Sequence, residues 1–138
     1  MRIERDFAGG LAIERATVAL AGRRVLLVED EALVALDVAW TLEDAGAVVL
    51  GPAATLEQAV GAAAAEAIDA AVMDVSLRGI EAFPALDTLA HRGVPFVLHT
   101  GHLRRGDLAG AYPDAPLVPK PATPESLLVA LARCLALA

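Results

Sequence analysis

From residue 23 onward, short runs of β-branched and aliphatic residues alternate with longer Ala/Leu segments, the pattern of βα units wound around a parallel sheet. Five runs read as strands: 23–29 (RRVLLVE), 47–51 (AVVLG), 69–75 (DAAVMDV), 94–99 (VPFVLH) and 115–119 (APLVP). The first, third and fourth carry consecutive apolar positions, so they are expected to be covered on both faces. Helices are predicted over 32–45, 56–66, 84–92 and 124–137, with a short weak one over 103–111. The punctuation agrees: Gly46 and Gly93 stand at C-terminal caps, Thr55 at an N-cap, and Thr123 before Pro124 joins an N-cap to a first-turn proline.

These elements predict an α/β fold, a doubly wound five-stranded parallel sheet of order 2-1-3-4-5 in a single domain over 23–138. Residues 1–22 differ in kind, with a polar, glycine-ended start (MRIERDFAGG) followed by LAIERATVALAG. They read as an N-terminal extension, partly disordered or forming a short helix that packs on the domain or on a second subunit.

Composition narrows the partners. The 138 residues are 57% hydrophobic but only 4% aromatic, which implies a core of Ala, Val and Leu. A net charge of −7 argues against a nucleic-acid or anionic-membrane surface, both of which need basic patches. No apolar run near the N-terminus resembles a signal peptide or a membrane span, and the single cysteine, Cys134, has no partner for a disulfide or metal spacing. A cytoplasmic protein is expected.

Chemistry concentrates at strand ends. The first strand runs straight into Glu29, Asp30 and Glu31, and the third ends at Asp74. With strand two outside strand one, the order reverses between strands one and three, and ligands bind at such a switch point. Glu29, Asp30 and Asp74 should therefore meet in one crevice. Gathered carboxylates repel one another unless a cation neutralises them, and an all-oxygen set favours Mg²⁺ over zinc. Thr100 ends the fourth strand, and Lys120, the only lysine of the chain, follows the fifth between Pro119 and Pro121. Both prolines hold it in extended or turn backbone. Such a crevice can stabilise a phosphoryl group in transfer to Asp74, with the ammonium acting as a compact charge and Thr100 hydrogen-bonding to the new group.

Glu29-Asp30, Asp74, Thr100 and Lys120-Pro121, in this order and spacing, resemble the receiver domain of bacterial two-component response regulators, of flavodoxin/CheY-like fold. The resemblance covers 23–137. It implies that the Ser76 carbonyl completes the Mg²⁺ shell beside Asp30 and Asp74, that Glu29 acts through water, and that Lys120–Pro121 is a cis peptide. It also implies a sensor histidine kinase or phosphotransfer protein as phosphodonor. More narrowly, GPAATLEQA, DVSLRG, FPALDTL and PFVLHTGH look like the alphaproteobacterial FAT-GUY receivers, often stand-alone. Departures are Leu98, His99, His102 and Ala122, and Leu117 stands where common receivers carry an aromatic switch residue. The chain is accordingly expected to be a stand-alone receiver, not an enzyme beyond slow autodephosphorylation, signalling through protein contacts.

Two alternatives stay open. A haloacid-dehalogenase-like phosphatase also uses Asp, Mg²⁺, Thr/Ser and Lys, but needs D-x-D where this chain has Asp74-Val75-Ser76. A degenerate receiver would only bind partners. His99 and His102 read as loop surface at the pocket mouth rather than metal ligands, and His91 as a cation at a helix end. On the first helix Val34, Val38, Leu42 and Ala45 should face the sheet, while Leu33, Leu36 and Trp40 form a far-side stripe for residues 11–21 or a kinase to cover. Val129, Ala132, Ala136 and Leu137 give the last helix an apolar outer face, which suggests homodimerisation through 115–138 or docking of a partner there.

Overall fold

The computed structural model describes residues 12–101, 108 and 110–137. A helix over 12–20 (α1) precedes β1 (Arg24–Val28), α2 (Ala32–Asp44), β2 (Val48–Ala53), α3 (Leu56–Ala65) and β3 (Ala70–Met73). Then come a small hairpin, β4 (Ser76–Leu77) and β5 (Ile80–Glu81), α4 (Phe83–His91), β6 (Phe96–Thr100), β7 (Leu117–Pro119) and α5 (Pro124–Leu137). The sheet is parallel with order β2-β1-β3-β6-β7. The hairpin, which the sequence pattern did not announce, stands outside it. Counting sheet strands alone, the crossover pattern is the expected 2-1-3-4-5.

Period-two alternation divides the core between the faces. Val25, Leu27, Val72, Val97 and Val118 pack with Val38, Leu42, Leu127 and Leu131 under α2 and α5. Leu26, Val28, Ala71, Met73 and Leu98 pack with Ala59, Leu86 and Leu89 under α3 and α4. The predicted two-sided strands are the buried ones: β1 after its first residue, and β3 and β6 throughout. Helix punctuation also matches. Thr55 Oγ1 accepts the Gln58 N–H, Thr123 Oγ1 accepts the Ser126 N–H, and Gly46 and Gly93 take positive φ.

Several boundaries differ from expectation for physical reasons. Strand β2 continues past Gly51 through Pro52 to Ala53, which is tolerable because it is an edge strand and its register with β1 slips between Leu26 and Val28. Strand β7 is shorter than 115–119. Of the weak helix over 103–111, Leu108, Gly110 and Ala111 are helical, and the rest lies outside the described residues, as does His102.

Of the N-terminal segment, residues 12–20 form a short helix packed on the domain, but not over the face of α2 expected for it. Residues 1–11 lie outside the described residues, but α1 buries Ala16 and Leu20 in the core shared with α2 and α5. The Gly22 N–H donates to the Gly46 carbonyl, tying α1's end to the α2–β2 turn. Thus α1 does not cover the far side of α2, where Leu33 and Trp40 remain 82% and 59% exposed. Facing the sheet are Ala35, Val38, Leu42 and Ala45, with Val34 half-buried. On α5 the expected apolar outer face is not present among the described residues. Val129 and Ala132 are half-buried against the core beside α2 and the sheet, the small Ala136 is exposed, and the Leu137 side chain lies outside the described residues.

Candidate functional site

Each functional side chain is set by a strand end. The Glu29 N–H donates to Ala53 O, and the Asp74 N–H to Val28 O, so the carboxyl ends of β1 and β3 are locked to their neighbours. The Lys120 N–H donates to Thr100 O at 3.1 Å, fixing the end of β7 on that of β6. The Lys120–Pro121 peptide is cis, as the resemblance implied.

From that position the Lys120 ammonium reaches across the sheet. It donates to Asp74 Oδ2 at 2.9 Å and lies 2.6 Å from Glu29 Oε1. The second contact is a short buried ion pair. Glu29 Oε2 accepts the Glu31 N–H at 3.1 Å. Both acids are nearly inaccessible, Glu29 at 2% and Asp74 at 4%. Burial pushes the Glu29 carboxyl up to about 7, with Lys120 opposing. Burial acts to lower the Lys120 ammonium, but its bonds to Glu29 and Asp74 hold it above the ordinary lysine value.

In front of this pair lies a crevice of about 260 Å³ lined by Asp30, Glu31, Asp74, Ser76, Gly79 and Lys120. Asp30 Oδ2 accepts the Arg78 N–H at 2.8 Å, and Asp74 Oδ1 accepts the Ser76 N–H at 3.2 Å. Burial is the largest single influence on the Asp30 carboxyl and would raise it, but hydrogen bonds from the Arg78 amide, Glu29 and its own amide, with the Lys120 charge, together hold it below the usual carboxylate value. The predicted convergence therefore holds: Glu29, Asp30 and Asp74 come together, with Lys120 between Glu29 and Asp74.

The donor set fits a hard divalent cation. Glu29, Asp30 and Glu31 bring carboxylate oxygens within 4.8 Å of one another, the all-oxygen chemistry such a cation takes. Asp74 and Ser76 line the same crevice and complete an all-oxygen surround. Glu31 belongs to this group although the sequence reading gave it no role; its place beside Glu29-Asp30 was the available signal.

Thr100 stands at its expected strand end, whereas His99 departs from expectation. Thr100 is fully buried at the end of β6, and the next residue, Gly101, lines the crevice. His99 is not loop surface, because β6 extends to Thr100 and pairs His99 with Val118. Its imidazole is 4% exposed and its Nε2 has no partner. Burial, reinforced by the Lys120 charge and opposed by Asp74, lowers its proton affinity. By strand alternation Glu29, Asp74 and His99 belong to the face covered by α2 and α5, and Thr100 to the opposite one. His91 sits in the last turn of α4, as expected. Among the described residues no helix is long and apolar enough to cross a membrane.

No profile of a known protein family matches the chain. Over 94 residues it is 34% identical to the transcriptional regulatory protein PdtaR of Mycobacterium tuberculosis, covering 67% of this chain and 45% of that protein. The response regulator PhyR from Brucella abortus is similar with a TM-score of 0.77 at 27% identity, over 96% of this chain and 53% of that one. The receiver domain of the sensor histidine kinase PA1611 from Pseudomonas aeruginosa, with magnesium coordinated in its active site cleft, gives a TM-score of 0.71 at 26% identity. That match covers 84% of this chain and 99% of the receiver domain. The chain thus spans about half the length of PdtaR and PhyR.

Proposed function

The chain is a CheY-like response-regulator receiver domain, and we propose that it accepts a phosphoryl group on Asp74 from a histidine kinase or phosphotransfer protein. The observation that carries this reading is the Lys120 ammonium held between Glu29 and Asp74 at the edge of the acidic crevice. An Asp74 oxygen attacks phosphorus as the bond to the donor's imidazole nitrogen breaks. The electron pair leaves with the imidazole, and an acyl phosphate forms. Lys120 turns from carboxylate to phosphoryl oxygens, neutralising charge as it develops. Asp30, Asp74 and the Ser76 carbonyl, with Glu29, would hold Mg²⁺, which would supply the remaining positive charge. Thr100 hydrogen-bonds to the new group after transfer.

The reading includes a docking face. Leu33, Leu36 and Trp40 are exposed on α2 beside Asp37, Glu43 and Asp44, and Leu33 borders a cleft of about 480 Å³ that also reaches Lys120. An apolar, acid-flanked helix face next to the phosphoacceptor suits a phosphodonor helix with apolar and basic residues. The domain acts in the cytoplasm through protein contacts, with no turnover beyond slow autodephosphorylation, and on its motifs we read it as one of the FAT-GUY receivers.

The test is incubation with acetyl phosphate and Mg²⁺, followed by mass spectrometry of the intact chain and of its peptides. A label on Asp74, absent in Asp74→Asn, supports the proposal. Many turnovers of a phosphomonoester would replace it with the phosphatase reading, and no label with that of a pure binding module.

A further inference from the structure

The hairpin β4–β5 has an orientation that the sheet does not explain. Leu77 and Ile80 pair across it, and the turn between them consists of Arg78 and Gly79, both at positive φ, 52° and 80°. Two such residues in a two-residue loop make a type I′ turn, for which Gly or Asn is the usual first choice. Arg78 is the only described non-glycine residue with positive φ. Its Cβ makes that conformation unfavourable, so something outside the turn must hold it.

Backbone groups alternate sides along a strand, so if Leu77 faces its partner strand the amides of Ser76 and Arg78 face away from it. Both point at carboxylates: Ser76 N–H at Asp74 Oδ1 and Arg78 N–H at Asp30 Oδ2. Leu77, 1% exposed, anchors the hairpin in the core, and the Ala82 N–H closes its base on Val75 O at 2.7 Å. Arg78 itself is exposed, so its place in the site is through its backbone.

We infer that the outer edge of β4 is a two-pronged backbone clamp that positions Asp30 and Asp74 for a divalent cation, with left-handed Arg78 as its positioning residue. This rests on the reading that these two acids hold such a cation. A carboxylate pinned through one oxygen has its other oxygen fixed as well, so the clamp pre-sets the donor spacing that cation binding would otherwise have to order.

Two substitutions separate backbone from side chain. Arg78→Gly keeps the amide and eases the positive φ, whereas Arg78→Val keeps the amide but drives it out of the left-handed region. Magnesium titrated calorimetrically into the full chain should bind Arg78→Gly within about twofold of wild type and Arg78→Val about tenfold more weakly, near the loss of one charge-assisted hydrogen bond. Thermal unfolding in EDTA verifies that each variant is folded. Equal losses in both variants, or a folded Arg78→Val that binds like wild type, overturns the clamp. A metal-free arm uses amide hydrogen exchange in EDTA. Residue 78 should be protected in wild type and exchange at least about tenfold faster in Asp30→Ala; no protection in wild type also overturns it. Should wild type fail to bind magnesium, the cation reading has failed, and the exchange arm still decides whether the clamp exists.

Discussion

The Lys120 ammonium stands 2.9 Å from Asp74 Oδ2, one nitrogen reaching from the end of β7 to the end of β3 across the strand between them. It is the only side-chain cation within salt-bridge distance of either buried acid among the described residues.

Removing it should therefore act on chemistry more than on folding. Lys120→Ala is expected to slow phosphoryl uptake from acetyl phosphate by about 10²- to 10³-fold, the usual effect of losing one charge-stabilising donor. Lys120→Arg should recover only part of the rate, since a planar fork cannot serve both carboxylates as a compact ammonium does. Initial labelling rates by mass spectrometry measure both.

Proton linkage at Glu29 has a definite sign. Its folded pKa, about 7, exceeds the ordinary 4.5, so its contribution to stability is fully present below 4.5 and is lost as pH rises through about 7. Metal-free protein should lose stability as pH rises from 4.5 to about 7 and level off above it, and Glu29→Gln should flatten that slope in urea titrations. Asp30, shifted down, works oppositely and only in acid, its contribution disappearing as pH falls below the ordinary 3.8. Magnesium favours the carboxylate form, so its binding should tighten and release a proton across the window in which Glu29 titrates.

Gly51→Ala should be among the most damaging small substitutions. At φ 98° a Cβ would lie 2.7 Å from Leu27 O and 2.8 Å from Ala53 N, both backbone atoms that cannot turn aside. A loss of about 3 kcal/mol or more in urea unfolding is expected.

Leu36→Asp and Trp40→Ala touch side chains that are 44% and 59% exposed. Each should change stability by less than about 0.5 kcal/mol. Both should slow transfer from a phosphorylated histidine partner while leaving uptake from acetyl phosphate unchanged, a difference that separates docking from chemistry.

The site was legible because its residues end apolar runs: "VLLVED" and "AAVMD" announce buried strands that stop on carboxylates, and topology then decides which ends meet. The two prolines around Lys120 likewise declared a fixed backbone. Other features left no periodic trace. The continuation of β2 beyond Gly51 depends on a register slip against β1, a property of two strands that neither shows alone. His99 fell within the predicted strand but read as surface, because a histidine at a strand end carries no sign that pairing with β7 will bury it. The clamp at Arg78 was hidden because backbone amides have no sequence signature, and an arginine before glycine gives little hint of a type I′ turn.

Strand alternation assigns Glu29, Asp74 and His99 to one side of the sheet and Thr100 to the other. Any event at the crevice thus has two audiences. A shift of the ammonium is felt among the packed residues beneath α2 and α5, and a shift of the hydroxyl among those beneath α3 and α4. One added group could in this way re-tune two separate surfaces, so a partner gripping one flank would sense what happens on the other without touching it.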